Sequence, residues 1–323
     1  MKVAVLLLNR NQWDLTRLCL DSLYESGGGV EVVPLLIDQA SPTTPDWLTG
    51  YPGLRFRRFE SNSGFTGGNN RAFHLMEPGE VPYTFVLNND ATVKPGTIAR
   101  LIQVLEEKPG AGVTSPAVYY ATAPDTIWSA GGRFEPPRMI FDQRVWRTRE
   151  ALPREPVTSD FATGCAMMMR TEDYRSFRGF REDMFMYFED AEFCWRMRKA
   201  GRGIWLVPDA EVYHHVSVSS GGIYSPFAVY YSLRNRCVFG RELLSPGGYR
   251  ALQAYLFAMV VAKSLIFPLK GRASTIPVMW RALLDGLAGR MGPSYGVENP
   301  APMLEWEEQT PDSPTLRSPL SRR

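Results

Sequence analysis

Cysteine is scarce and scattered: Cys19, Cys165, Cys194 and Cys237 are the only four in 323 residues, and no two form a CxxC pair. That pattern excludes a disulfide scaffold or a cysteine-built zinc cluster and fits reduced core residues of a cytosolic protein. Neither sign of charge dominates, with 36 basic against 34 acidic residues and a net charge of +2. The global case for a nucleic-acid partner is thereby removed. The apolar run at the N-terminus, residues 3–8, stops at Asn9-Arg10-Asn11 with no small-residue cleavage site, so a first buried strand is expected rather than a signal peptide. The phosphate-binding fingerprints are missing too: no P-loop Gly-Lys-Ser/Thr and no GxGxxG. What remains, 44% hydrophobic and 22% charged residues, is an ordinary globular chain long enough for one large α/β domain or two smaller ones.

Apolar runs alternate with helical spacing through the first third. Strands are expected at 3–8, 30–37, 54–59 and 83–87. Helices are expected after Asn11, which can cap the first of them, and over 68–76 and 97–108. This β-α rhythm predicts an α/β, Rossmann-like, mostly parallel sheet with ligands at the strands' carboxyl ends. After Gly110 the rhythm changes. Residues 117–159 are proline-rich and read as loop, followed by a strand over 163–170, a helix over 191–200 and short strands at 203–207 and 210–214. The division expected is a catalytic domain over 1–224, with a nucleotide-binding half near 1–116 and an acceptor half near 117–224. A helical, basic region over 225–292 and a disordered tail over 293–323 complete it. Within the helical region the most apolar stretch, 251–269, is interrupted by Gln253, Lys263 and Pro268 and followed by Lys270 and Arg272. Those charges favour a helix lying on a surface over one that spans a membrane.

Several strand ends carry chemistry. Tyr83-Thr84-Phe85-Val86-Leu87 runs directly into Asn88-Asn89-Asp90. A carboxylate on a buried strand tip can hold Mg²⁺ or Mn²⁺ against a diphosphate, although Asn and Asp also make plain turns. Asp38 at the second tip can accept from the N–H edge of a pyrimidine base or simply cap a turn. The segment 61–71, with three glycines and three asparagines, can bring backbone N–H groups to an anion at a helix N-terminus or merely turn tightly. Glu189-Asp190 opens a helix, where acids suit the macrodipole. Phe185, Tyr187, Phe188, Phe193 and Trp195 crowd them, and an apolar setting raises a carboxylate's basicity as a general base requires. His214-His215 ends a strand, and His214 becomes a metal ligand if it faces Asp90.

Together and in this order the segments resemble the family 2 inverting glycosyltransferases of GT-A fold, in particular the rhamnosyltransferase-like branch, over roughly residues 1–240. The carriers are Leu7-Leu8-Asn9-Arg10, Asp38-Gln39-Ala40-Ser41, the Asn-x-Gly-Phe-x-Gly-Gly-Asn-Asn segment at 62–70, Asn88-Asn89-Asp90 for the DxD-type motif, the Phe-x-Tyr-x-Glu-Asp phrase beginning at Phe185, and His214. Gln39 stands where the family has Asn, and Asn88 where it has the first Asp.

The resemblance implies a sugar moved from a nucleoside-diphosphate donor, deoxythymidine-diphosphate rhamnose or a uridine-diphosphate sugar, to a hydroxyl of a glycan or polyprenyl-linked acceptor. It implies Asp190, with Glu189, as the catalytic acids. Asn9, Asp38, Asn62, Gly64, Gly67, Gly68, Asn69, Asn70, Asn88, Asn89 and Asp90 are implied donor contacts, and Asp90 and His214 ligands of one Mg²⁺ or Mn²⁺. Tyr187, Trp195, Arg234 and Asn235 are candidates for acceptor or phosphate contacts. The expected place of work is the cytoplasmic face of the cell membrane in polysaccharide synthesis, and homodimerisation is compatible with the sequence. Two other classes stay open: a nucleotidyltransferase, and a non-catalytic sugar-nucleotide or glycan-binding protein of the same fold.

Overall fold

Strand β1 (Lys2–Asn9) lies inside a ten-stranded sheet and shows why the fold forms. Its alternate side chains feed two cores. Val3, Val5 and Leu7 meet Cys19, Leu20 and Leu23 on one face, while Ala4 and Leu6 meet Ala72 and Phe73 on the other. A strand buried on both faces reads as a continuous apolar run. The computed structural model describes residues 1–26, 29–142, 146–215, 225–297 and 300–304.

In chain order β1 is followed by α1 (Trp13–Glu25), β2 (Glu31–Gln39), β3 (Arg55–Phe59), α2 (Gly64–Phe73), β4 (Tyr83–Leu87), β5 (Ala91–Val93) and α3 (Thr97–Glu107). Then come β6 (Ala111–Tyr120), β7 (Ala123–Ser129), the small hairpin β8 (Arg133–Glu135) and β9 (Ile140–Asp142), β10 (Val157–Ser159), β11 (Ala166–Arg170) and α4 (Thr171–Ser176). Helix α5 (Glu189–Lys199), β12 (Gly203–His214), α6 (Pro226–Leu243), α7 (Pro246–Ile266) and α8 (Ile276–Ala288) complete the order.

The sheet runs β10-β12-β6-β11-β4-β1-β2-β3. The half built by β3, β2, β1 and β4 is parallel, as expected. The other half is mixed, because β11 returns antiparallel between β4 and β6 while β12 runs parallel to β6. Much of 117–159 is also sheet rather than loop: β6 and β7 pair antiparallel and β10 joins β12. The two short strands expected near 203 and 210 are one strand, β12, with a register shift between Val207 and Glu211. Asn11 does not cap α1. It sits at φ +59°, and Gln12 precedes the helix.

The last three helices share a core with the middle of the chain. Met184 and Phe185 pack with Tyr230, Tyr231, Leu252 and Leu283. Part of the expected tail is likewise ordered. Tyr295 stacks on Tyr230 at 5.0 Å, Ala301 N donates to Asn62 O at 3.2 Å, and Arg71 donates to the Pro302 carbonyl. The remainder, 305–323, lies outside the described residues, as does most of the connection between β12 and α6, where the domain boundary at 224 was expected.

Candidate active site

The carboxyl ends of β1, β2 and β4 are tied by one buried polar network. Asn9 donates Nδ2 to Asp38 Oδ1 at 2.7 Å and accepts at Oδ1 from Thr16 Oγ1 at 2.9 Å. Asn89 donates to Thr16 Oγ1 at 2.8 Å. Asp38 is fully buried, and its oxygens also receive Ser41 N at 3.2 Å and Ser41 Oγ at 2.5 Å. A satisfied buried network of this kind rigidifies the tips it joins. Asn9, Asp38 and Asn89 thus shape the floor of the site through contacts within the chain.

The segment 61–71 differs from its reading as an anion loop. Helix α2 begins at Gly64, four residues earlier than the periodicity suggested. Three of its first-turn donors are engaged within the chain: Gly64 N on Asn62 Oδ1 at 2.9 Å, Thr66 N on Phe185 O at 3.3 Å and Gly67 N on Ser63 O at 3.2 Å. The glycines serve close packing instead. A Cβ on Gly68 would stand 2.8 Å from both Leu8 methyls, and one on Gly64, at φ +68°, would overlap the Phe185 carbonyl. Asn70 bridges to the later half, accepting from Tyr174 Oη at 2.8 Å and Phe180 N at 3.0 Å and donating to Phe180 O at 2.8 Å. Asn69 donates to Phe65 O at 2.8 Å. Gln39, a departure from the family pattern, fastens the turn by accepting from Ser63 N at 2.9 Å and Ser63 Oγ at 2.7 Å.

Asp90 and His214 are brought together. β5 pairs antiparallel with the end of β12, setting His214 opposite Ala91, so Asp90 Oδ1 and His214 Nε2 stand 2.9 Å apart with both residues buried. Asn88 Nδ2 lies 3.4 Å from the same ring nitrogen, and Trp128 packs edge-on against the imidazole at 4.5 Å. Burial works against a charged His214, but the neighbouring Cys165 and Asp90 outweigh it and push its pKa up to about 10. The other ring nitrogen, Nδ1, is buried without a hydrogen-bond partner. An adjacent carboxylate and imidazole with a neutral amide beside them suit a divalent cation that draws its other ligands from a diphosphate and water. They do not make a closed protein cage: among the described residues no group of three or more His, Cys, Asp or Glu converges.

Asp190 lies in the first turn of α5, and a cleft of about 430 Å³ opens on it, walled by Tyr187, Phe161, Leu233 and Phe267 among others. Its Oδ2 accepts from Gly164 N at 3.0 Å and its Oδ1 from Ala191 N at 2.7 Å. Burial raises its pKa while those amides oppose the rise. Glu189 is buried, and its Oε2 has no partner. Burial, then the charge of Asp190, hold its carboxyl well above the usual range. Of the pair, Asp190 ionises first and faces the cleft; Glu189 stays neutral beside it.

The run into α5 is strained. Phe185, Tyr187 and Phe188 have φ of +67°, +67° and +71°, a region that bulky residues leave unless held there. Asn235 is the holder. Its Nδ2 lies 2.9, 3.0 and 2.7 Å from the carbonyls of Met184, Met186 and Tyr187. Arg234 donates to Met184 O at 2.9 Å and to the Gly292 carbonyl, with Tyr231 under its guanidinium at 4.8 Å. Both residues have zero exposure, so the reading of Arg234 and Asn235 as acceptor or phosphate contacts is corrected: they bind backbone. Trp195 likewise packs edge-on to Phe239 at 5.7 Å rather than lining the cleft, whereas Tyr187 does line it. Sequence reasoning missed the connection Thr163-Gly164-Cys165, whose only local signal is a glycine after a threonine.

Residues 3–175 match the family model "Glycosyl transferase family 2". The chain is similar to the N-acetylglucosaminyl-diphospho-decaprenol L-rhamnosyltransferase of Mycobacterium tuberculosis (strain ATCC 25618 / H37Rv), with 28% identity over 192 residues, and that alignment covers 53% of this chain and 62% of the relative. It is also similar to the low-salt glycan biosynthesis hexosyltransferase Agl10 of Haloferax volcanii, with 23% identity over 232 residues, 70% of this chain and 72% of that one. Among solved structures, Staphylococcus aureus TarS 1–349 in complex with UDP-GlcNAc covers 89% of this chain and is itself covered to 82%, at 16% identity and a TM-score of 0.54. The mannosyltransferase PcManGT from Pyrobaculum calidifontis, in complex with GDP-Man and Mn²⁺, aligns over 89% and 87% at 16% identity with a TM-score of 0.52. These likenesses show the GT-A fold, and with the model spanning more than half its length the chain belongs to glycosyl transferase family 2.

Proposed function

We propose that the protein is an inverting glycosyltransferase that moves a sugar from a nucleoside diphosphate, of the dTDP-rhamnose or UDP-sugar class, to a hydroxyl of a lipid-linked glycan. The observation that carries the reading is the shared connection between the two acidic centres. Gly164 N binds Asp190, and Cys165 O, one residue on, accepts from Asn88 N at 2.9 Å, two residues before Asp90. A proton acceptor and a metal-binding tip are thereby fixed on one rigid turn.

In the reaction so read, the ionised Asp190 takes the proton of the acceptor hydroxyl. The acceptor oxygen forms a bond to the anomeric carbon as the bond from that carbon to the diphosphate breaks, and the electron pair leaves with the nucleoside diphosphate. Inversion follows from a single displacement. A divalent cation held by Asp90 and His214 would neutralise the departing diphosphate. Tyr187 forms part of the wall against which the acceptor is oriented. Incubation with a panel of nucleotide sugars and a prenyl-diphosphate-linked N-acetylglucosamine tests the reading. Free nucleoside diphosphate and a glycosylated lipid of inverted anomeric configuration are expected. Release of a sugar 1-phosphate instead would identify nucleotidyl transfer, and binding without turnover a non-catalytic protein.

The place of work supported is the inner face of the cell membrane. No helix of the described residues is long and apolar enough to cross a membrane. Helix α7 and its continuation nevertheless expose Phe257, Val261, Leu265 and Leu269, four residues apart, with Leu269 88% exposed and Lys270 beside it. An exposed apolar ridge flanked by cations suits an anionic lipid surface. Co-sedimentation with anionic vesicles that is lost in Leu265→Glu/Leu269→Glu is the expected result. A wild-type protein that stays in the supernatant with every lipid mixture would remove this placement.

A further inference from the structure

The cleft in front of Asp190 carries two groups for which base catalysis has no use. Its walls are apolar, and the charged side chains lining it are Asp190, Arg236 and Lys263. Neither cation forms an ion pair with a carboxylate among the described residues. Arg236 gives Nε to the Arg138 carbonyl at 2.8 Å and lies over the Tyr255 ring at 5.3 Å, and Lys263 Nζ is 5.9 Å from the centre of the Phe267 ring. Partly desolvated cations without a counter-charge are unfavourable unless an anion completes them. Helix α7 places this charge beside the exposed ridge: Met259, Lys263 and Phe267 line the cleft, while Phe257, Val261 and Leu265 of the same helix stand exposed.

We infer that the cleft is the subsite for an amphiphile with an apolar chain and a phosphate or diphosphate headgroup, and that Arg236 and Lys263 are its headgroup contacts. The inference rests on the glycosyltransferase reading and adds to it which part of the acceptor the protein grips. The headgroup meets the two cations, the apolar chain lies along the aromatic and methionine walls towards the bilayer, and the acceptor hydroxyl reaches Asp190. The lipid, rather than free phosphate, is the source, because the apolar wall and the two cations face one space.

Calorimetry with the full chain tests this without any turnover, using dodecyl phosphate below its micelle-forming concentration, dodecanol, inorganic phosphate and pyrophosphate as probes. The wild-type protein is expected to bind dodecyl phosphate more tightly than any of the other three. Arg236→Gln/Lys263→Gln is expected to weaken that binding about ten-fold or more, as loss of charge-assisted hydrogen bonds does. Binding of UDP or dTDP and the thermal midpoint should stay as in the wild type. Equal affinity for dodecanol would reduce the cleft to an apolar groove, equal affinity for pyrophosphate would make it a soluble-anion site, and unchanged binding in the double variant would acquit both cations; each outcome overturns the inference. Lys263→Gln alone, on a different helix from Arg236, and the wild-type probe panel decide the matter if the Arg236 substitution prevents folding. Because these readouts are binding, their failure leaves glycosyl transfer standing, and absence of transfer leaves them interpretable.

Discussion

Gly164 donates its amide to Asp190 Oδ2 at 3.0 Å across 26 residues of sequence. The bond fixes the rotamer of the carboxylate and favours its ionised form, against a burial that favours the neutral one. The same connection holds Asn88 through Cys165. Distance between the two acidic steps is therefore set by backbone rather than by flexible side chains, which is what a single-displacement reaction demands of its base and its leaving-group site.

Replacing the proposed base isolates its chemistry. Asp190→Asn keeps the side chain's size and can still accept from Gly164 N, so folding and nucleotide binding should be preserved. Turnover should fall by about 10² or more, the usual contribution of a general base. Transfer at near wild-type rate by the folded variant would end the assignment of Asp190.

The pH dependence has a definite sign. Burial raises Asp190 above its ordinary value, and Glu189 is raised further. In the proposed mechanism the active form carries an ionised Asp190, so kcat/KM should be full at high pH and decline as pH falls through a midpoint above the ordinary aspartate value. Because Glu189 is neutral while Asp190 ionises, Glu189→Gln should leave the midpoint close to the wild-type value. A profile that is flat down to pH 4, with the fold intact by circular dichroism, would contradict the burial argument.

Metal dependence is expected to be shared with the donor. In the proposed reading Asp90 and His214 would supply two adjacent ligand atoms, so nucleotide and cation should stabilise the fold together more than either does alone, by the mass-action rise in thermal midpoint. Asp90→Ala should abolish the extra shift from Mn²⁺ while leaving a smaller shift from UDP or dTDP. Cation uptake should release a proton, because the proton bound at His214 in the metal-free pair is displaced. Full transfer activity in excess chelator would remove the cation from the scheme.

Much of this was legible in the chain because buried strands that end on polar residues announce themselves. β1, β2 and β4 were found from apolar runs stopping at Asn9, Asp38 and Asn88, and the tips do converge. What escaped was information that lies in packing. Gly64, Gly67 and Gly68 read as a loop because glycine is common in turns, whereas here its lack of a Cβ lets α2 approach Leu8 and Phe185. Arg234 and Asn235 read as candidate acceptor or phosphate contacts. Their true partners are carbonyls turned out by three left-handed residues, and nothing in Phe185-Met186-Tyr187-Phe188 signals that conformation. Pro124 helped conceal β7, since prolines argue against strands when read singly.

The close approach of α2 predicts that Gly64→Ala is disruptive for two reasons that add. The residue sits at φ +68°, and the new Cβ would strike a backbone carbonyl, that of Phe185, which cannot swing away as a side chain would. A loss of about 1–3 kcal/mol is expected, seen as a lower thermal midpoint. An unchanged midpoint would show that α2 and the 185 segment are not in contact. Gly79→Ala, also at positive φ but with open space around it, is the control for conformation alone.

Asn235 gives the most discriminating test, because it acts on the base only through the backbone. Three carbonyls of the left-handed run converge on its Nδ2, and that run delivers Asp190 to the cleft. Asn235→Asp preserves volume but replaces the donor by a carboxylate facing carbonyl oxygens. Asn235→Ala leaves those oxygens unsatisfied, at about 1–3 kcal/mol for a buried group. If the residue positions the base, both variants should lower kcat far more than they raise KM for the donor sugar, since the network of Asn9, Asp38 and Asn89 is untouched. The pH midpoint should shift as Asp190 loses its fixed relation to Gly164 N. If Asn235 served stability alone, the thermal midpoint would fall while kcat per folded molecule and the pH profile stayed at wild-type values. Measuring kcat well below the variant's melting temperature separates the two, and a wild-type kcat there would refute the positioning role.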